Sequence, residues 1–118
     1  MEILIYQAEN GNVPLLMWLK KQNQDVQEKS YALIEKLQEK GHQLRMPHSK
    51  PLGEGIFELR FRVRKVRYRI LYCYVGKDEA ILINGFTKKS DIEPGEIEKA
   101  RKCRDNFNIN PKSHIYNA

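Results

Sequence analysis

Between positions 60 and 69 the chain carries Arg60, Arg62, Arg64, Lys65, Arg67 and Arg69, six basic residues in ten positions. A guanidinium group offers planar, paired donors that match the oxygens of a phosphate. The surrounding residues, FELRFRVRKVRYRILYCYV, are β-prone and alternate in polarity. Strand alternation puts Glu58, Arg60, Arg62 and Arg64 on one face and Phe57, Leu59, Phe61 and Val63 on the other. In the following stretch Arg67 and Arg69 share a face with Leu71 and Cys73, and Tyr68, Ile70, Tyr72 and Tyr74 share the opposite one. Like charges facing each other across strands repel, so this cluster calls for a polyanionic partner. Bases stacked on Tyr68, Tyr72 or Tyr74 would suit single-stranded RNA. The other reading makes these tyrosines half-buried sheet residues.

The charge of the whole chain points the same way. Residues 1–55 carry seven basic and seven acidic side chains, whereas residues 56–118 carry fourteen and eight, so the net +6 lies in the half with the arginines. This asymmetry indicates nucleic acid or another acidic partner, or else a solvated basic face. Cys73 and Cys103 lack the spacing of a zinc site, and no His/Cys/Asp cluster has ligand spacing, so neither metal nor cofactor is expected. The absence of a long apolar run argues against a membrane span, and a cytoplasmic location is expected.

The elements that must hold the arginines follow from periodicity. The 118 residues suit one domain. Glu2 to Tyr6 predicts a strand. Asn12 as N-cap and Pro14 in the first turn predict a short helix carrying Leu15, Leu16, Trp18 and Leu19. Asn23 or Asp25 caps a second helix with Val26, Leu33, Ile34 and Leu37 on one side, ended by Gly41. Residues 42–55 read as a loop crossing the fold, with room for a short strand near Leu44. Strands are expected over Ile56–Val63, Val66–Val75 and Glu79–Phe86. Gly76-Lys77-Asp78 turns the last pair into an antiparallel hairpin, whereas Arg64-Lys65 makes a poor tight turn. Pro94 opens a final helix ending near Phe107. The expected architecture is α+β: two N-terminal helices on a twisted, mainly antiparallel sheet of about four strands, with a C-terminal helix. Residues 1–107 form the domain, and 108–118 a polar, mobile tail. The simplest arrangement leaves the arginine face open.

The segments IYQAENGNVPLLMWLKKQ, GHQLRMPHSKPLGEGIFELRFR, YRILYCY and INGFTKKSDIEPGEIEKA, in that order, resemble the RelE and HigB-type toxins, especially their phage-derived host-killing branch. The resemblance covers about residues 3–105. It implies a roll related to microbial ribonucleases and an mRNA endoribonuclease (mRNA interferase) that often cuts at the ribosome and so inhibits translation. It also implies a cognate antitoxin, of the HigA-like helix-turn-helix kind, that silences the toxin.

Cleavage of this kind is attack of a ribose 2′-hydroxyl on the adjacent phosphate. It needs a base, charge stabilisation of the phosphorane and an acid for the leaving oxygen. By resemblance, Arg60 and Arg69 hold the phosphate, and Lys88 and Lys89 are the basic pair after the last strand. Like charges nearby lower a lysine's pKa, which makes Lys89 the choice for proton transfer. Arg62, Arg67, Lys88 and Lys50 are expected RNA contacts. Glu58 is either a general base or an ion-pair partner of Arg60 or Arg69. His48 sits where some HigB relatives place a functional histidine, or is an ordinary loop residue. The segment after Lys89, Ser90-Asp91-Ile92-Glu93, lacks the histidine or tyrosine that several relatives use. Alternatives on the same fold are a ParE-like gyrase inhibitor, a decayed toxin or a plain RNA-binding module.

Overall fold

A computed structural model describes residues 1–88 and 94–117. Strand β1 (Glu2–Ile5) leads to helices α1 (Pro14–Lys20) and α2 (Gln24–Lys40). Strands β2 (Ser49–Gly53), β3 (Ile56–Val63), β4 (Val66–Val75) and β5 (Glu79–Lys88) follow, then α3 (Pro94–Ile109). The sheet has five strands in the order β1-β5-β4-β3-β2. It is mixed, because β1 runs parallel to β5 while the other pairs are antiparallel.

The fifth strand, β2, lies in the segment read from sequence as a crossing loop. It pairs with β3 from Ser49↔Leu59 to Gly53↔Ile56, with a register shift after Pro51. Proline disguised it, yet proline is tolerated on an edge strand, where no neighbour needs its N–H. Leu44, where a short strand was expected, instead follows a 3-10 turn at Gly41–Gln43.

Both N-terminal helices pack on one face of the sheet. Leu15, Leu19, Val26, Leu33 and Leu37 bury against Leu59, Phe61, Tyr68, Ile70, Tyr72 and Leu82. In α2 the Asn23 side chain caps Val26 N–H at 3.0 Å, and Gly41, with φ 53, ends the helix. The N-cap of α1 is Val13 rather than Asn12, with Pro14 in the first turn. Gly85 in β5 admits close approach: a Cβ there would lie 2.2 Å from Trp18 Cε3.

The opposite face is not open, contrary to the simplest sequence reading. Helix α3 lies across it, and Ala100 and Phe107 close over Ile56, Leu71, Cys73, Ile81 and Ile83. The alternation in β4 explains this, because one face changes from Arg67 and Arg69 to Leu71 and Cys73 along the strand. Its apolar half must be covered, and its basic half extends beyond the helix.

Two further expectations change. Arg64-Lys65 does form a tight two-residue connection, since Val63 pairs directly with Val66. Arg64 supplies the left-handed position (φ 56), and its guanidinium reaches Asp25 at 3.3 Å. The last helix runs past Phe107 to Ile109, and the chain after it folds back on β1. Tyr116 N–H donates to Ile5 O at 2.8 Å, Gln7 N–H to His114 O at 3.0 Å, and the His114 ring stacks on Tyr6. This segment covers the outer edge of β1, which would otherwise expose unpaired backbone groups.

Candidate active site

Strand register brings the arginines together in two rows. Arg60 stands directly opposite Arg69, and Arg62 opposite Arg67. The second row continues to the backbone of Lys88, paired with Arg67. Four arginines from two adjacent strands thus share one face, as alternation predicted. Their mutual repulsion needs an offset, and Glu58 supplies it. Its Oε1 lies 3.3 Å from Arg60 Nε and its Oε2 lies 3.4 Å from Arg69 Nε. One carboxylate therefore bridges two guanidinium groups on neighbouring strands.

Burial distinguishes the two arginines. Arg69 is 4% exposed and Glu58 2%. The Arg60 side chain keeps 29% of its surface accessible. Arg69 and Glu58 form a buried electrostatic base, and Arg60 is the more accessible cation above it. Both carboxylate oxygens of Glu58 lie within ion-pair distance of a guanidinium nitrogen, an arrangement that suits positioning better than proton transfer. Of the two readings of Glu58, the structure shows the ion pair.

The arginines line a cleft of about 500 Å³ with Lys29 of α2, Met46, Pro47, His48, Phe61 and Tyr68. It opens where β2 stops. Ser49 is the first residue of β2, beside Leu59, so among the described residues Arg60 to Val63 have no strand on that side beyond the contact of Arg60 N–H with His48 O at 2.9 Å. The β2 boundary thus creates the opening beside the arginines.

His48 lies on this cleft, half-buried. Its Nε2 is 3.4 Å from Lys36 Nζ. An ammonium group only donates, so Nε2 carries the lone pair in this contact. Burial, with the Lys36 and Lys40 charges, lowers the His48 pKa below its ordinary value. An imidazole whose protonation is opposed in this way therefore lines the same cleft as Arg60. Proximity in space, not in sequence, makes this relation, because Lys36 and Lys40 come from α2.

The remaining candidates are less central. Lys50 is exposed on β2 opposite Glu58 and does not line the cleft. Lys89 lies outside the described residues. Arg64 turns toward Asp25. Tyr68 and Tyr72 are buried in the core under α1 and α2, and the Tyr72 hydroxyl sits 2.6 Å from Ser49 Oγ. Burial raises the Tyr72 pKa well above the usual tyrosine range. These two tyrosines are structural. Cys73 and Cys103 are free. Burial pushes the Cys73 thiol up to about 11 and also raises Cys103, so neither is a ready thiolate nucleophile. Among the described residues no group of three or more His, Cys, Asp or Glu could hold a metal ion, and no helix is long and apolar enough to cross a membrane.

Sequence reasoning missed Lys29, Met46 and Pro47 as cleft residues. Met46 is 59% exposed, and its Sδ accepts from Arg60 Nη1 at 3.2 Å. The only sequence signal for it was its place in the loop before the basic strand.

Residues 17–105 match the family model described as phage derived protein Gp49-like (DUF891). The match spans most of the chain and includes α2, the arginine strands and most of α3. The chain belongs to this family, a toxin-like family of the RelE/ParE superfamily. No curated protein matches the chain.

Proposed function

We propose that the chain is the toxin of a type II toxin–antitoxin pair, of the RelE/HigB type, and acts as an endoribonuclease on mRNA at the ribosome. The observation that carries this reading is the Arg60–Glu58–Arg69 bridge at the wall of a basic cleft that His48 also lines. A phosphodiester seated on Arg60 would have its developing negative charge met by a fixed cation, the kind of stabilisation that contributes most in phosphoryl chemistry.

In the proposed step the ribose O2′ attacks phosphorus, a P–O2′ bond forms and the P–O5′ bond breaks. The products are a 2′,3′-cyclic phosphate and a 5′-hydroxyl. His48 is the described group suited to take the O2′ proton, because its pKa is lowered and its Nε2 carries the lone pair. Arginine is unsuited to that role, since its pKa stays above about 12. Lys89 is the candidate donor to O5′. Arg62 and Arg67 extend the basic face along the backbone of the RNA. A HigA-like helix-turn-helix antitoxin is the proposed silencing partner.

Induction of the wild-type chain and of Arg60→Ala, with sequencing of mRNA 5′ ends, tests the reading. New ends within translated frames in the wild type, absent in the variant, are expected. Growth arrest without new ends would overturn the nuclease reading and favour a gyrase-directed or other toxin of the same fold.

A further inference from the structure

A second cleft, of about 530 Å³, adjoins the basic one. It is lined by Phe57 and Tyr74 from the sheet, Pro51 of the edge strand, and Leu44, Arg45 and Met46 from the loop before β2, with His42 and Ser49 at its margins. Its walls are mostly apolar and aromatic. The His42 ring lies 4.0 Å from the Tyr74 ring, centroid to centroid, and Phe57 packs edge-on to Tyr74 at 5.1 Å. Met46 is the residue common to both clefts. It forms the ridge between them, largely exposed, with its sulfur on the guanidinium of Arg60.

We propose that this second cleft is a nucleobase subsite, and that Met46 is the positioning residue that seats the base next to a phosphate held by Arg60. The proposal rests on the nuclease reading of the basic cleft. An exposed thioether in direct contact with a phosphate-binding guanidinium has no packing role that explains it. It offers a polarisable surface suited to the face of an aromatic ring. A volume of this size is in the range of small-ligand pockets. Unpaired bases are recognised by stacking on such surfaces, with polar groups at the margin reading their edges. Arg45, exposed on this cleft, supplies such a group. The occupant is a base rather than an unrelated apolar ligand because the ridge residue is shared. A strand whose phosphate lies on Arg60, and which follows Arg62 and Arg67 on one side, brings its nucleotide on the other side to Met46.

The chain has three methionines, Met1, Met17 and Met46, so methyl-labelled protein gives three resolved reporters. Met17 on α1 lines neither cleft and serves as the internal control. Methyl spectra would be recorded with inorganic phosphate, with a dinucleotide whose attacking sugar is 2′-deoxyribose, and with its abasic counterpart. The expected result is a Met46 shift with the dinucleotide that clearly exceeds those with phosphate and the abasic compound, with Met17 unmoved. Met46→Ala should weaken dinucleotide binding by about three- to tenfold more than it changes phosphate binding. An unchanged Met17 signal in that variant would verify folding. Equal Met46 shifts with phosphate and dinucleotide, or dinucleotide binding indifferent to Met46→Ala, would overturn the subsite and leave the basic cleft standing. Failure of all three probes to bind would overturn both readings.

Discussion

Glu58 and Arg69 form a buried ion pair at 3.4 Å in the middle of the sheet, each less than 5% exposed. The carboxylate's second oxygen reaches Arg60 on its own strand. Desolvating these charges costs several kcal/mol, which close mutual contact must offset. The arrangement makes Glu58 a structural hinge pin for two cations. Glu58→Gln should therefore lower stability by about 3 kcal/mol, since it removes the carboxylate charge that faces the buried guanidinium. Denaturant unfolding would measure this. Added phosphate should restore part of the loss if the anion takes the vacated place between the arginines.

The two arginines should respond differently to truncation. Arg60→Ala removes a partly exposed side chain, so its folding cost should stay near 1 kcal/mol, while RNA cleavage falls by about a hundredfold or more. Arg69→Ala uncovers the buried Glu58 and should destabilise by about 3 kcal/mol. Thermal melts run beside cleavage assays would separate the two. Loss of function in Arg69→Ala is thus a poor test of chemistry, and Arg60→Ala is the cleaner one.

Arg62 and Arg67 stand opposite each other at the outer row of the basic face. Each Ala substitution should weaken single-stranded RNA binding without sequence preference. Each should also reduce the slope of log affinity against log salt by about 0.7. A salt series of binding measurements would read this directly, and an unchanged slope would remove these residues from the interface.

His48 should titrate below an ordinary histidine, because burial and the Lys36 and Lys40 charges oppose its protonation. Lys36→Met should raise its pKa, as followed by the imidazole proton shifts. If His48 takes the 2′-hydroxyl proton, the acid limb of the cleavage profile should move upward with it. The same group affects folding. Its unfolded form binds more protons between the lowered folded pKa and about 6.5, so its contribution to stability is present above about 6.5. That contribution is lost as pH falls through this window.

Gly85→Ala should destabilise by about 1–3 kcal/mol. The new Cβ would fall 2.2 Å from Trp18 Cε3, a ring held between α1 and the sheet. The denaturation midpoint would report this, and Trp18→Leu should relieve part of the cost in the double variant.

The arginine strands were legible because their signal is local. Alternation over Ile56–Val63 and Val66–Val75 fixed both the strand limits and the face of every arginine, and the register Arg60↔Arg69 agrees with it. Asn23 as a helix cap and Gly41 as a helix end depend on one or two backbone groups, and both were also readable. The cover provided by α3 depends on contacts across tens of residues. Leu71 and Cys73, in phase with Arg67 and Arg69, already marked the apolar half of that face, but nothing local said which helix would close it. Strand β2 was hidden because Pro51 suppresses strand propensity and only pairing with β3 restores the strand. Tertiary packing alone decided that Arg69 and Glu58 are buried while Arg60 is not. It also brought Lys36 to His48 and set Met46 on Arg60. Sequence determines which groups a strand can present; the long-range fit of helices and edges decides which of them meet solvent, and which meet one another.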